Sequence, residues 1–213
     1  MKKRFAKNIK LSYFFLFLLI YFLLYGSNSN PKLDKISHYY LQKIPFQLKF
    51  AIQSLDNEGN TLSKMRGTFI LTGKDKFKVK YPQEQILYDG QWLWTYNETT
   101  NQVVVEEFEP TSSLNLIYDV INGDLNDYEI VKSESSDNGS EIFLKPKEDN
   151  NFFKNIKLTT TRDTCSIRGV KYVDFQKNQI RIDFLQISDT LPPDSTFYNI
   201  KQMKDKQLID LRP

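Results

Sequence analysis

The sequence predicts a mainly β fold of the α+β kind: an incomplete, curled antiparallel β-barrel whose apolar concave face is lidded by short helices. Three observations predict it. Large apolar side chains recur at every second position from Lys76 to Val105, the period of a strand with one dry and one wet face. Turn signals divide the chain into short segments, so each strand pairs with its sequence neighbour. Only two segments show helical spacing, and about ten antiparallel strands with two helices are not expected to form a flat sheet exposed on both sides.

Taken in order, Pro31 to Gln42 carries Leu33, Ile36, Tyr40 and Leu41 at helical spacing, and Pro45 ends that short amphipathic helix. Phe46, Leu48, Phe50 and Ile52 then alternate on one face of a strand running to Asp56. The DNEGN turn at Asp56 to Asn60 leads into a return strand over Thr61 to Thr72, which Gly73 breaks. In Lys76 to Tyr81, Phe77, Val79 and Tyr81 alternate with three lysines until Pro82 stops the strand. Gln85 to Tyr88 enters Asp89-Gly90, expected as a two-residue hairpin turn, after which Trp92, Trp94 and Tyr96 share a face. Asn97 to Asn101 turns the chain into a strand over Gln102 to Phe108.

Pro110, Ser112 and Ser113 mark a helix start, and Leu114, Leu116, Ile117, Val120 and Ile121 form a strongly apolar helix closed by Asn122-Gly123. Strands resume at Tyr128 to Ser133, Glu141 to Lys145, Asn155 to Thr161, Ile167 to Phe175 and Gln179 to Ser188. Pro192-Pro193 stops the pairing, and the tail to Pro213 reads as irregular with one short strand at most.

Residues 1 to 29 stand apart. Lys2, Lys3, Arg4, Lys7 and Lys10 precede an apolar run from Tyr13 to Tyr25, followed by Gly26, Ser27 and Ser29, the layout of a secretory signal peptide. Cleavage is expected near Asn30, with an uncleaved membrane anchor as the alternative. No cysteine lies near residue 30, so no lipid is expected on a new N-terminus. The remaining residues, 30 to 213, are long enough for a single domain with a substantial core.

Removing the five leader cations from the formal +3 leaves −2 for the rest. Lys and Asp/Glu are interspersed along it, without a basic stripe in the sequence, which argues against a nucleic-acid partner. Cys165 is the one cysteine, so no internal disulfide forms and the fold rests on burial and hydrogen bonding.

Catalytic groups are sparse. His38 is the one histidine and sits beside Tyr39 and Tyr40, reading as structural or surface rather than as part of a triad. Cys165 reads as a bland thiol in a turn. Glu106 and Glu107 are adjacent on a strand and face opposite sides, and Asp119 with Asp124 reads as solvated charge. Asp56 to Asn60 resembles a calcium loop but is too short and lacks the distal bidentate glutamate. Neither an enzyme nor a metal or cofactor site is expected.

Gly67-Thr-Phe-Ile-Leu, Lys76-Phe77-Lys-Val-Lys-Tyr-Pro82, Leu87-Tyr-Asp89-Gly90-Gln-Trp-Leu-Trp94-Thr-Tyr96-Asn97 and Asn101-Gln102-Val103 together resemble the outer-membrane lipoprotein carrier protein family, LolA. The match extends in weaker form over most of residues 35 to 213. The resemblance implies a soluble periplasmic protein whose apolar cavity receives lipoprotein acyl chains; a monomer is expected. It would take them from an inner-membrane ABC-type transporter and hand them to an outer-membrane receptor. By pattern, Phe69, Leu71, Phe77, Val79 and Tyr81 would face that cavity, and Leu114, Leu116, Ile117 and Val120 would form the underside of its lid. An apolar stripe is equally the signature of a plain core, so each residue is either ligand wall or packing. In many family members an Arg-Pro pair precedes the Phe-bearing strand and its Arg bonds the lid. Here Leu71-Thr-Gly73-Lys74-Asp75-Lys76 has neither residue, leaving Lys74 as a substitute point charge. The alternative function is a binding module of the same fold, an envelope sensor or a membrane-anchored lipoprotein receptor.

Overall fold

Pairing between sequence neighbours builds almost the whole sheet. The computed structural model describes residues 31–108, 113–122, 125, 128–147, 153–163, 166–193 and 199–213. The expected leader, Pro110, Ser112, Gly123, Asp124 and Cys165 lie outside them. Helix α1 (Pro31–Leu41) precedes strands β1 (Phe46–Leu55), β2 (Thr61–Gly73), β3 (Lys76–Lys80), β4 (Glu84–Tyr88), β5 (Leu93–Asn97) and β6 (Gln102–Glu106). Helix α2 (Ser113–Asn122) follows, then β7 (Tyr128–Ser136), β8 (Gly139–Pro146), β9 (Lys154–Thr160), β10 (Ile167–Val173) and β11 (Gln179–Ser188). The chain ends in α3 (Ile200–Lys204) and β12 (Gln207–Asp210).

The twelve strands form one sheet in the order β12-β6-β5-β4-β3-β2-β1-β11-β10-β9-β8-β7. It is two meanders joined where β1 pairs antiparallel with β11. Among the described strands only β12 runs parallel to its neighbour, β6. The edges β12 and β7 do not meet, so the curled sheet is an unclosed, mainly β barrel. Among the described residues no helix is long and apolar enough to cross a membrane.

Sequence and structure part company in two places. The tail, read as irregular with one short strand at most, contains a helix as well as a strand. Its signal is local: the Asn199 side chain accepts from the Gln202 amide while the Gln202 side chain accepts from the Asn199 amide, a reciprocal cap that spares two orphan N–H groups. The Asp89-Gly90 turn is longer than two residues, because Tyr88 pairs with Leu93 and leaves Asp89 to Trp92 as the loop. The Asp89 carboxylate sets that length by accepting from the amides of Gln91 and Trp92, each at 2.9 Å, and from Trp94 Nε1 at 3.0 Å. Burial opposes ionisation of Asp89, but these donors and the Lys76 charge outweigh it and hold the carboxyl below its ordinary range. Trp92 therefore lies in the loop, not in β5.

The hairpin tips follow the same chemistry. In the β1–β2 turn the Asp56 carboxylate accepts from the amides of Glu58 and Asn60 and from the Asn60 side chain. In the β10–β11 turn Asp174 does the same for the Asn178 amide and side chain. Both are side-chain mimics of a backbone turn, and the Asp56 carboxylate of the apparent calcium loop serves to close a hairpin.

Candidate functional site

Register decides which side chains meet. Across the inner face, Phe46 on β1 lies opposite Leu71 on β2, Leu71 opposite Phe77 on β3, and Phe77 opposite Tyr88 on β4. The next row runs from Leu48 through Phe69 and Val79 to Ile86. Phe46, Leu48, Phe69, Leu71, Phe77 and Val79 are completely buried. A third row is irregular because Phe50 pairs with Gly67. A Cβ at Gly67 would lie 2.6 Å from Phe50 Cζ, so the ring occupies the space where a side chain would stand. Tyr81 meets Phe50 edge to face, with centroids 5.9 Å apart.

Phe77 is the hub of an aromatic group. Its ring stacks on Phe69 at 5.2 Å and lies 5.3 Å from Tyr88, 5.4 Å from Phe108 and 5.2 Å from Tyr118. Such pairs add about 0.5–1.5 kcal/mol each beyond the area they bury. Tyr88 and Phe108 escaped the sequence reading as site residues, although the signal was present. Tyr88 takes its face from the pairing across Pro82, and Phe108 continues the inner alternation of β6 past its end.

Two helices roof this face. The nine residues singled out by pattern, Phe69, Leu71, Phe77, Val79, Tyr81, Leu114, Leu116, Ile117 and Val120, all belong to one buried cluster. Ile121 of α2 and Ile36 and Tyr40 of α1 join them. Helix α1 is tied down at its end, where the Ile167 amide donates to the Tyr40 hydroxyl at 2.9 Å. Burial raises the Tyr40 phenol well above its ordinary value, so it remains a neutral partner.

Helix α2 is tied to the loop between β2 and β3. The Tyr118 hydroxyl donates to the Lys74 carbonyl at 2.9 Å. Burial first, then the nearby Asp75 carboxylate, pushes that phenol up to about 12. The loop without an Arg-Pro pair is thus bonded to α2 through its backbone, and the bond runs from the helix to the loop. The Lys74 ammonium, expected as a substitute point charge, is exposed; a neutral phenol makes the contact.

Trp94 and Tyr96 turn away from this face. Leu87 pairs with Trp94, and Trp94 with Val105, on the opposite side of the sheet from Phe77. With Tyr96, Val103 and Met203 they form a second buried cluster, against which Trp92 and Ile200 pack. Cations line its rim: Lys204 lies 5.6 Å from the Trp94 ring centroid, Lys206 5.5 Å from Tyr96, and Arg212 5.5 Å from Trp92. The alternating run from Lys76 to Val105 therefore supplies two cores on two faces.

Reactive groups do not converge on either cluster among the described residues. His38 lies on the exposed side of α1 against the Gln42 side chain. Glu106 is half-buried and Glu107 exposed on successive positions. A sheet face whose apolar rows are covered by two helices offers apolar contact, and that is the chemistry this arrangement supplies among the described residues.

The profile of a family described as outer membrane lipoprotein carrier protein LolA matches residues 45–201. A protein of Alkalilimnicola ehrlichii described as an outer-membrane lipoprotein carrier protein is 30% identical over 73 residues, covering 33% of this chain and 34% of that one. The match thus spans about a third of the relative's length. An uncharacterized conserved protein of Thermus thermophilus has the same fold, with a TM-score of 0.52 at 14% identity, over 84% of this chain and 96% of that one. A LolA superfamily protein of Nitrosomonas europaea aligns with a TM-score of 0.47 at 13% identity, over 80% of this chain and 97% of that one.

Proposed function

The chain belongs to the LolA family of outer membrane lipoprotein carrier proteins, and from that premise we propose that it is a periplasmic carrier of lipoprotein acyl chains. Exported by its leader, it accepts cargo from an inner-membrane ABC-type transporter and releases it to an outer-membrane receptor. Phe69, Leu71, Phe77, Val79 and Tyr81 form the wall, and Leu114, Leu116, Ile117 and Val120 form the underside of the lid that the acyl chain displaces. The observation that carries this reading is the apolar inner face roofed by a ten-residue helix whose own buried side chains are almost all apolar.

Magnitudes support reversible exchange. Burying Leu114, Leu116, Ile117, Val120 and Ile121 is worth about 1.5–3 kcal/mol for each side chain. An acyl chain of about fourteen carbons, at about 0.8 kcal/mol per CH₂, gains about 11 kcal/mol on leaving water. Neither cover greatly outweighs the other, so a lid can yield to cargo and cargo can be passed on. Covalent chemistry is not required.

Native mass spectrometry of the protein taken from its own envelope tests the reading. Acylated protein should travel with the chain; a chain that always emerges bare counts against a carrier. Tyr118→Phe should weaken the hold of α2 on the β2–β3 loop by about 0.5–1.5 kcal/mol, leaving the acyl wall unchanged. Faster uptake of a fluorescent fatty acid is the expected result. An unchanged uptake rate would show that the Tyr118–Lys74 bond does not restrain the lid.

A further inference from the structure

Charges that are interspersed along the sequence become segregated in the fold. Strands β1, β2 and β3 contain no Asp or Glu, and their outer face carries Lys49, Lys64, Arg66, Lys76, Lys78 and Lys80. Lys49 pairs with Thr68 and Thr68 with Lys80, while Arg66 follows on the same face two residues earlier. On the flanks, Asp183 of β11 accepts from Arg181, and Asp89 lies near Lys76.

The face is shaped as well as charged. Lys49, Arg66 and Lys80 border a shallow groove of about 270 Å³ whose lining also includes Thr68, Pro82 and Leu185 and, where Gly67 lacks a side chain, Phe50 and Tyr81. Leu185 is there because β11 bulges: Lys49 pairs with Gln186 and Phe50 with Phe184, so Leu185 has no partner on β1. Its side chain stands 54% exposed at the groove.

We propose that the outer face of β1–β3 is a docking surface for the anionic phospholipid headgroups of a membrane. Three cations and a hydroxyl surround a space open to a lipid phosphate, and an exposed leucine beside them reaches the level of the acyl boundary. A bilayer offers phosphate and hydrocarbon together, side by side over a broad surface. An acidic polypeptide would match the cations but leave Leu185 without a partner. Docked by this face, the barrel keeps the helices over its inner face clear of the membrane, and Tyr81 is the one residue shared by the groove and the proposed acyl wall.

The test is flotation of the full chain with phosphatidylcholine vesicles, with and without phosphatidylglycerol, against a K49Q/R66Q/K80Q variant carrying the same N-terminal residues. A leader, if retained, then contributes equally to both. Wild type should float with the anionic vesicles alone and be released by high salt. The variant should bind about fivefold more weakly per lost cation, on the order of a hundredfold in total, with its melting temperature and fatty-acid uptake unchanged. Equal retention of the variant, equal binding to neutral vesicles, or tighter binding to soluble polyglutamate than to vesicles overturns the assignment. Loss of fatty-acid uptake with vesicle binding intact would instead weigh against the carrier reading.

Discussion

Phe77→Glu is expected to abolish acyl-chain loading. The side chain is completely buried and touches Phe69, Tyr88, Phe108 and Tyr118. Removing a ring from such a site costs about 3–5 kcal/mol through lost transfer energy and the cavity left behind. Glutamate adds a carboxylate that must either keep its proton or pull water under the lid. Since a weakened fold could also lose cargo, Phe77→Leu is the necessary companion. It keeps the wall apolar while giving up the ring contacts, and it should remain loaded at reduced stability. Urea melts measure the stability cost, and native mass spectrometry measures the cargo. A glutamate variant that carries acylated protein as well as wild type would remove Phe77 from the wall.

Trp94→Ala should be as destabilising as losing Phe77, and yet spare the cargo site. Its indole is buried in the outer cluster with Leu87, Val105 and Met203, so truncation costs about 3–5 kcal/mol. It also removes the indole donor from the Asp89 carboxylate. The expected damage is local to what the indole holds: α3 and β12 should lose amide-exchange protection first, while α2 and the inner strands retain theirs. Trp94→Phe keeps most of the apolar area and loses the Asp89 bond, and should cost about 1 kcal/mol. Hydrogen exchange on the folded variants separates the two clusters. Uniform loss of protection over both faces would mean that they unfold as one unit.

The contrast between these variants locates where the sequence was legible. Eleven of the twelve strands lie where alternation and turn residues put them, because period-two burial is a property of the chain itself and needs no partner to be visible. The inner-face positions were readable for the same reason: Phe77 and Val79 alternate with lysines, and Leu114 to Ile121 is apolar except for Asn115, Tyr118 and Asp119. The role of Tyr118 was not readable. It depends on a carbonyl 44 residues earlier, and any residue can supply a carbonyl.

Local pattern by itself determined that this chain forms a meandering sheet with one apolar side per strand, and two helices of which one is almost wholly apolar. Only the tertiary structure decided which side of the sheet each apolar row occupies and what covers it. Leu87 faces away from Phe77 because Tyr88 pairs with Phe77, and its cover, Met203, arrives from the other end of the chain. The same pairing gathers lysines separated in sequence onto one outer face. Alternation is imposed residue by residue by the strand backbone. Covering and charge segregation depend on register and on segments distant in sequence, which a period-two pattern leaves free.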